Sequence, residues 1–223
     1  AQQNTLDDQD AKLKTQDEKL SALAQQLAEQ AQKLKEQEAA LAQQQVDLDE
    51  KTQLISTQQA KIDNIIGVKA EVVESLQQEF AKNNLNVNID SQTGALTLDA
   101  SVLFAYDDAE LTEEGKTALR SVLPIYCKVL LEDSYKSYLA EIIIDGYTDT
   151  DGDYAYNLEL SQRRSLAVAQ YLLEIQGEFL TSDQTIDLQD YLTVNGHSMA
   201  NPILDADGNV DKDASRRVEV KFR

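Results

Sequence analysis

The stretch Ile142-Ile143-Ile144-Asp145-Gly146-Tyr147-Thr148-Asp149-Thr150-Asp151-Gly152-Asp153, continuing through Asn157, Leu160-Ser161 and Arg164 to Leu173, decides the fold. Ala140 to Asp145 contains three consecutive isoleucines, the mark of a buried strand. A polar, glycine-containing loop follows, then a helix near Leu158 to Glu174. Asp149 closes the strand and Arg164 projects from the helix, so both can reach one cleft. A carboxylate facing a forked guanidinium suits a ligand that carries an ammonium and a carboxylate on one carbon. The same pair can instead be a structural bridge that closes the loop, and substitution of Arg164 separates the two readings.

Working outward, Leu85, Val87 and Ile89 alternate with polar residues and Leu96 and Leu98 repeat the alternation after Ser91-Gln92-Thr93-Gly94, which predicts a hairpin. A helix is predicted from Glu113 to Leu131 with Thr112 as its N-cap, and Pro124 should kink or divide it. Tyr191 to Asn195 and Val218 to Phe222 complete the strands. Helices alternating with strands, plus a hairpin, give a two-layer α/β sandwich over residues 85–223.

The run from Ile144 to Asp149, with Gly152, Asn157, Leu160-Ser161, Arg164 and Val168, resembles the signature of the OmpA/MotB family. Leu103-Phe104 and Leu111-Thr112 before Gly115 match its upstream part, and Ser215-Arg216-Arg217-Val218-Glu219 is similar to its terminal strand. Two residues depart from the pattern: Tyr147 stands where His is usual, and Ser215 where Asn is usual. The resemblance implies a sandwich of the OmpA C-terminal type that binds peptidoglycan without catalysis. It implies that Asp149 takes the ammonium and Arg164 the carboxylate at the free end of diaminopimelate in the stem peptide. Thr148, Asn157 and Ser161 would shape the loop, Tyr147 would edge the pocket, and Arg217 would assist from the last strand.

Before this domain, Leu6, Leu13, Leu20, Leu27, Leu34, Leu41, Leu48, Ile55 and Ile62 recur at a spacing of seven, with no Gly or Pro between them. Such a run predicts a coiled coil over residues 1–66. With these residues at a, the d positions are mostly Gln (Gln9, Gln16, Gln30, Gln37, Gln44, Gln58), whereas the other register places Asp10, Asp17 and Glu38 in the seam. Neutral amides cost less there than buried charges. The chosen register sets Lys12 against Asp17 and Lys33 against Glu38 of a parallel, in-register partner, so a parallel homodimer is expected. At ~1.5 Å per residue, residues 6–66 would reach about 90 Å. Gly67 interrupts the pattern, and residues 67–84 read as a linker helix or hinge. The fold class is therefore α+β, a long parallel coiled coil followed by the sandwich.

All thirteen aromatic residues lie at or after Phe80, which separates the two parts by composition. The net charge of −20 argues against nucleic acid and anionic membrane surfaces as partners. Cys127 stands in an apolar run and reads as a core thiol. His197 is the only histidine, so histidine-based metal clusters and triads are not expected, nor is a cofactor. Asp205-Ala206-Asp207-Gly208-Asn209-Val210-Asp211 alternates oxygen ligands, but its glycine is misplaced for a calcium loop and no glutamate follows at the needed spacing.

The resemblance further implies an extracytoplasmic protein that anchors a membrane-tethered complex to the wall. In MotB-like subunits of ion-driven stators, and in ZorB-type subunits of anti-phage systems, a transmembrane helix precedes the domain and meets a membrane-embedded A-type partner. The alternative is a passive tether, a lipoprotein or outer-membrane protein of Pal/OmpA type. The chain starts at Ala1 without Met, so such an anchor is expected upstream.

Overall fold

A computed structural model describes residues 2–223, with side chains from residue 12 onward. Leu6, Gln9 and Asp10 of the heptad reading fall outside the described side chains. The elements in order are α1 (Gln2–Lys82), β1 (Asn88–Ile89), β2 (Leu96–Asp99), α2 (Ala100–Leu103), α3 (Glu113–Leu130), β3 (Ile142–Tyr147), α4 (Tyr154–Ile175), α5 (Ser182–Tyr191), β4 (Leu192–Gly196), α6 (Lys212–Ser215) and β5 (Arg217–Phe222). The chain divides into two compact units, one ending at Ile62 and the other spanning Asp63–Arg223.

The first unit is helix alone, rich in Ala, Gln, Leu, Lys and Glu, the residues that lose least on entering a helix. Its described heptad residues from Leu13 to Ile62 are all exposed. Gln43 and Gln45 donate to Asp47 and Asp49 one turn on, at 2.9 and 2.8 Å. Pairs of this kind each contribute only a few tenths of a kcal/mol, roughly 0.2–0.5.

The second unit is a two-layer sandwich. Its sheet has the order β1-β2-β5-β3-β4, with β3 antiparallel to β5 and parallel to β4. Ile142 and Ile144 stand opposite Phe222 and Val220 on β5, and opposite Leu192 and Val194 on β4. Because side chains alternate across a strand, this face joins Leu119, Leu123, Val168 and Leu172 of the helices in one core. Segment 67–84, expected as a linker helix or hinge, is helical to Lys82 and supplies core residues: Val72, Val73, Leu76 and Phe80 are buried. Ser75 and Asn64 hydrogen-bond Tyr135 and Tyr138 at 3.0 and 3.1 Å, so this end of α1 belongs to the globular unit.

Local signals position the rest. Thr112 caps α3 by accepting from Gly115 N at 2.9 Å, and the helix continues undivided across Pro124. Gly94, with φ of +73°, closes the hairpin turn, which Asp90 also fastens by accepting from the amides of Gln92 and Thr93. Helix α5, which the sequence reading left out, starts with a capping box of Thr181 and Gln184.

Candidate functional site

The loop between β3 and α4 is built by its own polar side chains. Asp153 caps α4 by accepting from Ala155 N and Tyr156 N at 2.9 and 3.3 Å. Asn157, one turn into the helix, reaches back and donates to Asp151 O at 2.7 Å across Gly152, whose φ is +91°. Asp149 Oδ1 accepts from Asp151 N at 3.0 Å. Thr148 N donates to Ser198 O at 2.9 Å, which pins the start of the loop to the segment after β4.

This loop forms one wall of a cleft of about 490 Å³. Thr148, Asp149, Asn157 and Arg164 all line it, together with Tyr106, Asp107, Tyr156 and Arg216. Arg164 is 5% exposed and lies across Phe104, its guanidinium carbon 5.3 Å from the ring centroid. Its Nε donates to Asp108 O at 2.7 Å. Among the described residues, no protein acceptor meets its Nη groups. Burial lowers the pKa of this guanidinium and the charge of Arg216 adds to that, while Asp107, Asp108 and Asp149 work in the other direction. An arginine stays protonated through such a shift, so the cleft holds a buried cation whose forked end lacks a partner among the described residues.

Asp149 is paired with Arg216, whose Nη1 donates to Asp149 Oδ2 at 2.5 Å. The other arm of Arg216 reaches Asp213, and the Asp149 bond is the main cause of the raised pKa of Arg216. Across the cleft, Tyr156 donates to Asp107 Oδ1 at 2.6 Å, in a loop where Asp107 itself has a φ of +58°.

Three residues expected at the site stand elsewhere. Arg217 lies on the sheet face turned away from the helices, over the Tyr147 ring at 3.9 Å and bonded to Glu219 at 2.6 Å. Tyr147 stacks on His197, centroids 4.8 Å apart. Arg217 and Tyr147 are buried in a network on that face, where Asp145 is 2% exposed and pairs with Lys221. Asn195 donates to Asp145 at 2.9 Å. His197 Nε2 lies 3.1 Å from Asp145 Oδ1 without the alignment of a hydrogen bond. Ser161 is fully buried and accepts from Ser198 N at 3.0 Å, which supports the loop from behind. Ser215 accepts from Ile203 N and donates to Asp211 O, tying two loop segments together.

The sequence reading missed Arg216, Asp107, Tyr106 and Tyr156. The signal for Arg216 was present: adjacent residues entering a strand point to opposite faces, so only one member of Arg216-Arg217 could face the cleft. Among the described residues no group of three or more His, Cys, Asp or Glu is placed to hold a metal. Asp205 accepts from the amides of Asp207 and Asn209, an arrangement that closes its own turn. No helix among the described residues is long and apolar enough to cross a membrane.

The OmpA family model matches residues 103–216, from the end of α2 to Arg216 itself. The chain is similar to the Zorya protein ZorB of Escherichia coli strain Crooks, with 36% identity over 162 residues covering 68% of this chain and 67% of that protein. A second Zorya protein ZorB, from Escherichia coli O139:H28, is 27% identical over 157 residues, covering 69% and 61%. The chain thus spans about two thirds of the length of these curated relatives. A crystal structure of a MotB-like protein from Desulfovibrio vulgaris shares the fold, with a TM-score of 0.50 and 20% identity over 72% of this chain and 94% of that one. A family match over half the chain, on a two-layer sandwich of the same kind, leaves one assignment: the chain belongs to the OmpA family, with ZorB proteins among its relatives.

Proposed function

We propose that the Asp63–Arg223 unit binds peptidoglycan without catalysis, by holding the ammonium and carboxylate at the free end of a diaminopimelate stem peptide. The observation that carries this reading is Arg164, a buried guanidinium with two unmatched Nη groups lining a cleft shared with Asp149. Burying such a charge is costly unless a partner arrives, and a carboxylate matches its fork in two bonds. Asp149 on the same cleft is the acceptor for the ammonium, and Thr148 and Asn157 hold its loop. Ser161, Tyr147 and Arg217 support the cleft from behind rather than from its lining.

The head then anchors a membrane-tethered, stator-like complex in the space outside the cytoplasmic membrane, at the end of a parallel two-helix stalk. The exposed heptad stripe from Leu13 to Ile62 supports a second copy as its partner. The extent of the ZorB match supports the stator-like reading over a passive tether. That match covers 162 residues, more than the family domain alone, whereas the outer membrane protein A of Escherichia fergusonii matches over 82. In such a complex an A-type membrane partner works through a helix preceding the stalk.

The test is sedimentation with purified diaminopimelate-type cell wall. The chain is expected to co-sediment, and Arg164→Ala to lose more than about 90% of that binding, because a charge-assisted bidentate contact is worth roughly 1.5–3 kcal/mol. Undiminished co-sedimentation of a folded Arg164→Ala chain would sink the assignment.

A further inference from the structure

Asp149 does not stand open to a ligand. Each of its oxygens already has a donor, Asp151 N at 3.0 Å and Arg216 Nη1 at 2.5 Å. Arg216 is itself held at two points, since Nη2 reaches the exposed Asp213. Arg164, on the same cleft, has Nη groups with no protein acceptor among the described residues. We propose that Arg216 sets the affinity threshold of the cleft: it competes for Asp149, so that an ammonium binds strongly only when it arrives with a carboxylate for Arg164.

The physical basis is an exchange of partners. A lone ammonium taking Asp149 must displace a guanidinium, so one ion pair is lost for each one formed. A ligand carrying both charges on one carbon adds a second pair at Arg164, where no protein pair is broken. That extra pair drives the exchange, and Arg216 retains Asp213 when it gives up Asp149. The cleft therefore discriminates between stem peptides ending in diaminopimelate and those ending in lysine, whose side-chain ammonium has no carboxylate beside it. This inference rests on the stem-peptide reading above.

The experiment is calorimetric titration of the full chain with L-Ala-γ-D-Glu-meso-diaminopimelate and with its L-lysine counterpart. The unsubstituted chain is expected to prefer the first by about tenfold or more. Arg216→Gln is expected to gain about tenfold in affinity for both peptides with the ratio kept, since the displacement it removes is common to both. Asp213→Asn, at an exposed position where folding is not at stake, removes the second hold on Arg216. Displacing Arg216 then costs more, so both affinities should fall about threefold with the ratio kept. A folded Arg216→Gln chain that gains affinity for neither peptide overturns the inference alone. An Asp213→Asn chain that binds both peptides as before overturns it as well, independently of how Arg216→Gln folds. Failure of the unsubstituted chain to bind either peptide overturns the stem-peptide reading, and this inference with it.

Discussion

Leucine has opposite surroundings in the two units. Leu20, Leu27, Leu34 and Leu41 are exposed in the unit that ends at Ile62, whereas Leu76, Leu96, Leu119, Leu123 and Leu172 are fully buried in the unit that begins at Asp63. The first set repeats every seven residues on one helix, and the second is drawn from four helices and strands that close on one another. An isolated helix satisfies its own hydrogen bonds but buries little apolar surface, and its stability in water is marginal. The sandwich carries its core within one chain. The same residue type thus specifies a fold in one unit and an unmet surface in the other.

The largest way to break that contrast is to spoil the sandwich and leave the helix intact. A Cβ at Gly146 would come within 2.2 Å of the backbone oxygen of Ser161, where β3 meets α4. Gly146→Ala is expected to cost about 3 kcal/mol or more. Near-UV circular dichroism should show early loss of tyrosine packing, while the far-UV helix signal of residues 12–62 persists. Asp145→Asn comes next, at about 1–3 kcal/mol, since it removes the charge of a buried carboxylate from its pair with the partly exposed Lys221. Burial alone would raise the pKa of Asp145, but Lys221, Asn195 and His197 around it outweigh that and hold it below the ordinary value. Its stabilisation is thus present above the unfolded value near ~3.9 and lost as pH falls through the lower folded one. Urea unfolding at pH 7 and pH 3 should show a smaller pH dependence for Asp145→Asn than for the parent chain. The smallest effect on the sandwich is expected from Leu34→Asn with Leu41→Asn: within about 0.5 kcal/mol on its melting. Sedimentation equilibrium should at the same time shift toward the single chain. A sandwich that melts early in this variant would show that the units are not independent.

Much of the fold was legible because period and punctuation agree. Three isoleucines before Asp145-Gly146 give β3, alternation around Gly94 gives the hairpin, and Thr112 gives the start of α3. Pro124 does not divide α3, whose apolar face packs into the core on both sides of it. Helix α5 carries few apolar residues and one buried leucine, so its periodicity is faint. At the site, Asp149 and Arg164 were legible from their places at a strand end and on a helix, and both do line one cleft. What the sequence could not give was who already holds whom. The Arg216–Asp149 pair spans 67 residues and the Tyr156–Asp107 bond spans 49, and no local spacing encodes either. Ser161, Tyr147 and Arg217 share the motif with the cleft residues, but strand alternation and helix phase turn them behind it.

The burial of Val72, Val73, Leu76 and Phe80 has a mechanical meaning. A load carried along α1 does not meet a floppy tether at the head. It meets a row of side chains seated side by side in the core, which must slide together rather than peel away one after another. Shear geometry of this kind spreads tension over many contacts at once. A head joined in that way is an attachment that can be hauled on, whatever does the hauling.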